Sequence, residues 1–267
     1  MNITYIASSG HSYSLSASMF VHTANFHEWS FEAKTTQLIY GERVSYFKRS
    51  AATFQTVLTV YGGITQRKAL LNALHDDFEA DVRNLTPGRV IWGNWYCDCF
   101  IKASKTEPHS EDTTWTQNTV DIYVPSGFWI REESHTFERS IDTTYPYLDY
   151  TYDYSYDYAK PAGGQDTWIT DSPFPAEFEM GIYGPCVNPR VVINGYPYVV
   201  YATIGQNETL VINSRNRTVM CGSRNLFDAR GKEQSVFEKI PPGSLAVSWG
   251  GFSFKLTLYE ERSEPKW

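Results

Sequence analysis

GRVIWGNWYCDCFIKA, residues 88–103, is the stretch that decides the fold. Two apolar runs, Arg89-Val90-Ile91-Trp92 and Trp95 to Ala103, flank Gly93-Asn94. That dipeptide tolerates positive φ and predicts a tight hairpin turn. Trp95, Cys97, Cys99 and Ile101 recur every second residue, so all four share one face of a strand. A hairpin with one apolar face needs a sheet around it.

The same period recurs on either side. Ala52, Phe54, Thr56, Leu58 and Val60 alternate with their neighbours, and residues 119–124 place Val120, Ile122 and Val124 inward. In residues 27–34, HEWSFEAK, aromatic and small residues alternate with polar ones, the pattern of a half-buried strand. One segment breaks the rhythm. Between Thr65 and Asn84, Leu70, Leu71, Leu74, Phe78 and Val82 fall at helix spacing. Thr65 is the expected cap and Leu85-Thr86-Pro87-Gly88 the stop. Asp76, Asp77, Glu79, Asp81 and Arg83 are expected on its solvent side.

Composition shifts between Arg131 and Ser172. Seven tyrosines lie within residues 145–158, and from Tyr150 to Tyr158 they alternate strictly with polar residues, which predicts a strand with one aromatic face. Beyond it, short apolar runs at 178–183, 191–193, 198–204, 209–212 and 252–258 are parted by Gly, Pro and Asn turn signals, as in a sandwich or barrel. The expected organisation is all-β with one helix: an N-terminal β-sandwich domain, residues 1–135, carrying the helix at about 65–84, and a C-terminal β-sandwich domain, residues 136–267.

Charge and composition narrow the function. The 267 residues carry 23 basic and 30 acidic side chains, a net charge of −7, and neither half has the basic excess that phosphate neutralisation requires. Nucleic-acid reading is disfavoured. The opening residues, MNITYIASSGHSYSLSASMF, lack a basic region followed by an apolar run, so no signal peptide is expected. No apolar stretch reaches membrane-helix length, and no membrane insertion is expected. Cys97, Cys99, Cys186 and Cys221 lack zinc-site spacing and read as reduced, small hydrophobes.

Catalytic signatures are missing: there is no G-x-S-x-G, H-E-x-x-H, Walker loop or G-x-G-x-x-G. The six histidines are scattered, and Glu132-Glu133 and Glu260-Glu261 point to opposite strand faces, so neither pair could flank a glycosidic bond. No catalytic, metal or cofactor residue is assigned. Trp168, Trp249 and the tyrosine run are the candidates for stacking on sugar rings, which keeps a carbohydrate-binding or carbohydrate-active sandwich as the alternative reading.

Four stretches carry a resemblance: Ser126-Gly127-Phe128-Trp129; YPYLDYTYDYSYDY from Tyr145; IYGPCVNPRVVINGYPY from Ile182; and the tail from Asn225, beginning NLFDARGKEQSVFEKIPPGSLAVSWGG. Together they resemble the distal tail (Dit) proteins of long-tailed bacteriophages, the phage tail component family. The resemblance implies a structural, non-enzymatic role in the virion, at the tail tip, after assembly in the cytoplasm of the bacterial host. It implies a homohexameric ring built by the N-terminal domain, with the C-terminal sandwich galectin-like. It also implies partners: the tail tube protein above, the tail-associated hub or lysin protein below, and receptor-binding proteins for host attachment at this baseplate.

A ring needs a heterologous contact that closes on itself. LIYGERVSYFKR, residues 38–49, offers Tyr40, Tyr46 and Phe47 beside Arg43 and Arg49, residue types enriched at interface centres. Taken alone, the segment could equally be a hairpin folded on its own domain. The resemblance selects the ring, with Tyr40, Arg43, Tyr46, Phe47 and Arg49 as the expected contacts.

Overall fold

The computed structural model describes residues 3–15, 19–107, 114–139 and 164–266, with the side chains of 20–23 left aside. The tyrosine run expected as a strand lies outside the described residues. The chain divides into two compact units, Met1–Arg131 with Glu261–Trp267, and Glu132–Glu260.

The first unit contains β1 (Ile3–Ile6), β2 (Ser12–Ser14), β3 (Met19–Ala24), β4 (Phe31–Leu38), β5 (Gly41–Arg49), β6 (Ala52–Tyr61), α1 (Ile64–Arg83), β7 (Gly88–Trp92), β8 (Trp95–Thr106), β9 (Trp115–Val124) and the start of β10 (Trp129–Phe137). The 88–103 hairpin is β7 and β8, with Trp92 opposite Trp95 and Gly93 at φ +59° in the turn. β8 serves two partners. Its first part pairs with β7 and its second with β9, across a bulge between Ile101 and Ala103 that bends the strand from one layer to the other. β2-β1-β7-β8 form one layer and β3-β6-β9-β8 the other. Trp95, Cys97, Cys99, Ile101, Val120, Ile122 and Val124 all point into the shared core, as their alternation requires.

Helix α1 packs on β8 and β6. Its cap falls two residues before the expected Thr65, because Gly62, at φ +123°, turns the chain directly out of β6 and Gly63 takes the cap position. The buried face differs from the expected one. Leu71, Leu74 and Phe78 are inside, but so are Arg67, Asp77 and Asp81, while Val82 is exposed. Positions 67, 71, 74, 78 and 81 form one stripe at helical spacing, and polar partners on neighbouring elements let its charged ends be buried. Arg67 Nη1 donates to Thr116 Oγ1 at 3.1 Å. Asp81 accepts from Tyr5 Oη at 2.5 Å, Ser8 Oγ at 2.5 Å and Ser8 N at 3.1 Å.

The second unit holds β11 (Gly164–Ile169), β12 (Glu177–Tyr183), β13 (Cys186–Val187), β14 (Arg190–Ile193), β15 (Tyr196–Val199), β16 (Thr203–Ile204), β17 (Thr209–Asn213), β18 (Thr218–Cys221), β19 (Arg224–Asn225), β20 (Ser244–Trp249) and most of β21 (Phe254–Arg262). One sheet runs β19-β18-β17-β12-β21 and the other β11-β20-β14-β15, each antiparallel throughout. Phe178, Met180, Ile182, Leu210, Ile212 and Leu256 from the first meet Trp168, Val191, Ile193, Leu245, Val247 and Trp249 from the second in one cluster. This is a sandwich. Trp168 and Trp249 are therefore core residues and not exposed platforms for sugar rings. Glu260, read from sequence as solvated, is also buried.

Candidate interaction arm

β4 and β5 form a two-stranded sheet of their own. Leu38 pairs with Gly41 across the two-residue turn Ile39-Tyr40, and Gly41 sits at φ +134°, a conformation glycine adopts without strain. Tyr40 at the tip is 99% exposed and Ile39 91%. Val44, Tyr46 and Phe47 along β5, and Trp29, Phe31 and Leu38 along the other side, are also exposed. Tyr46 faces Lys34 and Phe47 faces Ala33, so successive aromatics lie on opposite faces of the ribbon. A lone hairpin is marginal in water, and clustered exposed apolar groups mark an interaction surface. Among the described residues no further strand pairs with either outer edge, which leaves backbone groups that another strand could use.

The arm also differs in charge. Residues 31–49 hold four basic and two acidic side chains, in a chain whose net charge is −7. An apolar, cationic projection suits an anionic surface.

The five residues expected to make contacts do not play one role. Tyr40 caps the tip, Arg43 pairs with Thr36 on exposed β5, and Tyr46 and Phe47 carry the aromatic faces. Arg49 is half-buried at the root. Its Nε donates to Gly127 O at 2.8 Å, its Nη1 to Ser30 O at 3.1 Å and its Nη2 to Ser263 O at 3.3 Å. Its guanidinium lies 5.6 Å from the Phe31 ring centroid and 5.9 Å from that of Phe128. Trp29 and Phe31 were missed as surface residues. The alternation of residues 27–34 predicts half-burial, yet the strand begins at Phe31 and Trp29, Phe31 and Ala33 are all exposed. The pattern was present; the surface that would cover it is not among the described residues.

A second cluster invites a catalytic reading. Asp77 accepts from Ser9 Oγ at 2.9 Å, from His11 Nδ1 at 3.0 Å and from Tyr13 Oη. Burial works to raise the Asp77 carboxyl, but the hydrogen bonds from Tyr13, His11 and Ser9 outweigh it and the net direction is down. Ser9 gives its proton to the carboxylate rather than to the imidazole, so serine and histidine hang side by side from one acceptor. A nucleophile needs its base within hydrogen-bond reach, and this geometry does not supply one. What it does is clamp the β1–β2 turn onto α1. Burial, with the Asp81 hydrogen bond, likewise raises the Tyr5 phenol and keeps it a donor. Among the described residues no group of three or more His, Cys, Asp or Glu side chains could hold a metal ion, and no helix is long and apolar enough to cross a membrane.

No protein-family model and no curated protein matches the sequence. Solved structures do match. The crystal structure of the phage SPP1 Dit protein, described as a paradigm of the hub adsorption apparatus of phages infecting Gram-positive hosts, superposes with a TM-score of 0.66 at 9% identity, covering 97% of this chain and 99% of that one. Two structures of the phage P2 baseplate in its activated conformation, with Ca and with Sr, contain chains that superpose at TM-scores of 0.59 and 0.61, each at 10% identity and 99% coverage of both chains. Over nearly its whole length, this chain has the fold of phage Dit and baseplate proteins.

Proposed function

We propose that the chain is a structural, non-enzymatic component of a phage tail tip that assembles into a homohexameric ring. In this reading the ring joins the tail tube to the tail-associated hub protein, and the second unit, a galectin-like sandwich, anchors host-recognition proteins. The observation that carries the proposal is the arm. Among the described residues of the first unit, it is the element whose strand pattern calls for burial and whose side chains remain exposed. A second copy of the chain supplies what it lacks: an anionic partner and a heterologous contact repeated by rotation until it closes. The likeness to Dit and baseplate structures over the full length supports the same reading.

Light scattering on the full chain tests it. Six copies per particle at high concentration are expected, with rings in electron micrographs. A strictly monomeric chain that is also absent from the tail tip of assembled particles overturns the proposal, and binding on a glycan array would then favour a carbohydrate-binding sandwich.

A further inference from the structure

The Ser126-Gly127-Phe128-Trp129 motif sits directly beneath the arm root, and its geometry suits a bracket. Trp129 is buried in the first-unit core, with its ring 5.2 Å from Phe26 in an edge-on contact, so the motif is anchored from below. Gly127 stands at φ +69°, and a Cβ there would lie 2.5 Å from Ser50 O and 3.0 Å from the Arg49 side chain. Only glycine leaves room for the strand leaving the arm. Gly127 O then accepts from Arg49 Nε, and the Phe128 ring lies beside the guanidinium.

Arg49 adds two further holds. Its fork binds Ser30 O, where the chain enters the arm, and Ser263 O, in the C-terminal segment that belongs to the first unit. One side chain thus ties the entry strand, the exit strand, the motif turn and the chain's end. A planar guanidinium with several fixed donors can do this; a lysine ammonium presents a point charge without that fork.

We infer that Arg49, Gly127 and the C-terminal segment are positioning residues that fix the direction in which the arm projects, and that assembly depends on that direction and not only on the arm's own contact residues. The inference rests on the arm serving as the self-association surface. A hairpin attached by two strands and no cross-link would sample many orientations, and each assembly contact would have to order it afresh. The bracket removes that cost before the partner arrives.

The experiment uses the full chain in three variants, Arg49→Ala, Arg49→Lys and Gly127→Ala, read by light scattering, thermal melting and hydrogen exchange. Exchange is measured on dilute protein, so it reports the arm irrespective of assembly. Faster exchange at residues 30–34 and 46–49 is expected in all three variants, with melting retained and the concentration for half-assembly raised about tenfold or more. Arg49→Lys should behave like Arg49→Ala, because the fork and not the charge is what acts. A fourth chain ending at Arg262, which lacks the Ser263 acceptor, should show a smaller shift in the same direction. Unchanged arm exchange in Arg49→Ala and Gly127→Ala overturns the bracket, whatever the wild-type mass. Faster exchange with undiminished assembly overturns the dependence of assembly on direction. If the wild type never assembles, the ring reading fails while the exchange data still decide the bracket.

Discussion

Strand β12 of the sandwich and the stretch of residues 27–34 that leads into β4 of the arm share one kind of sequence and meet opposite fates. Phe178, Met180 and Ile182 alternate with polar residues and are fully buried; Trp29, Phe31 and Ala33 alternate in the same way and are exposed. The difference lies outside the strands. In the second unit another sheet from the same chain closes over the apolar face, at roughly 25 cal/mol per Å² of area removed from water. Among the described residues the arm has only its own two strands. Period-2 alternation states that a face wants cover; it does not state which chain provides it.

The largest effect is expected at the sandwich core. Phe178→Ala removes a side chain packed edge-on against Tyr198 at 5.2 Å and leaves a cavity where two sheets meet. A loss of about 3–5 kcal/mol is expected in denaturant unfolding of the full chain. A loss under about 1 kcal/mol would mean that this face is no better covered than the arm's.

The buried polar clamp of the first unit comes next. Asp81→Ala leaves Tyr5 Oη and Ser8 N without their acceptor beneath the β1–β2 turn. Removing one partner exposes the desolvation cost of the others, so about 1–3 kcal/mol should be lost. Tyr5→Phe should lose less, since the carboxylate keeps both Ser8 donors. Equal losses would show that the Tyr5 hydroxyl, rather than the whole cluster, holds the turn.

How far these features were legible depends on whether their cause is local. The 88–103 hairpin and the α1 stripe were legible because Gly93 and the Leu71-Leu74-Phe78 spacing act within a few residues. The burial of Asp77 and Asp81 was not, since their donors come from residues 5–13, more than sixty positions away. In the arm, the composition of residues 38–49 left an interface and a hairpin folded on its own domain equally open, and the structure shows Tyr40, Tyr46 and Phe47 exposed on it. Arg49's role was hidden because its three acceptors, Ser30, Gly127 and Ser263, are backbone oxygens, which composition does not display.

A smaller effect should come from His75. Its Nε2 lies 2.6 Å from Asn118 Nδ2 and accepts that amide proton, which requires the neutral ring. Burial pushes its pKa below the usual histidine value, against an opposing push from Asp76. In the unfolded chain this imidazole, with a pKa of about 6.5, takes up a proton that the folded chain refuses. Stability is then full above about pH 6.5 and falls as pH drops toward the folded value. His75→Gln should flatten that slope in a melting series across this window; an unchanged slope would place the sensitivity elsewhere.

The smallest effect on the folded chain is expected at the arm. Val44→Ser, Tyr46→Ser and Phe47→Ser remove apolar surface as extensive as a core substitution does, yet in the single chain that surface faces water. Surface changes of this kind stay within about ±0.5 kcal/mol, so melting of dilute protein should hardly move. At high concentration the outcome should differ. If a second copy covers the arm, association stabilises the wild type by mass action and its melting temperature rises with concentration. The triple variant should lose that dependence while keeping its dilute value. A variant that melts early at every concentration would mean that the arm is already covered within its own chain. A variant that keeps the wild-type concentration dependence would move the self-association surface away from β4 and β5 altogether.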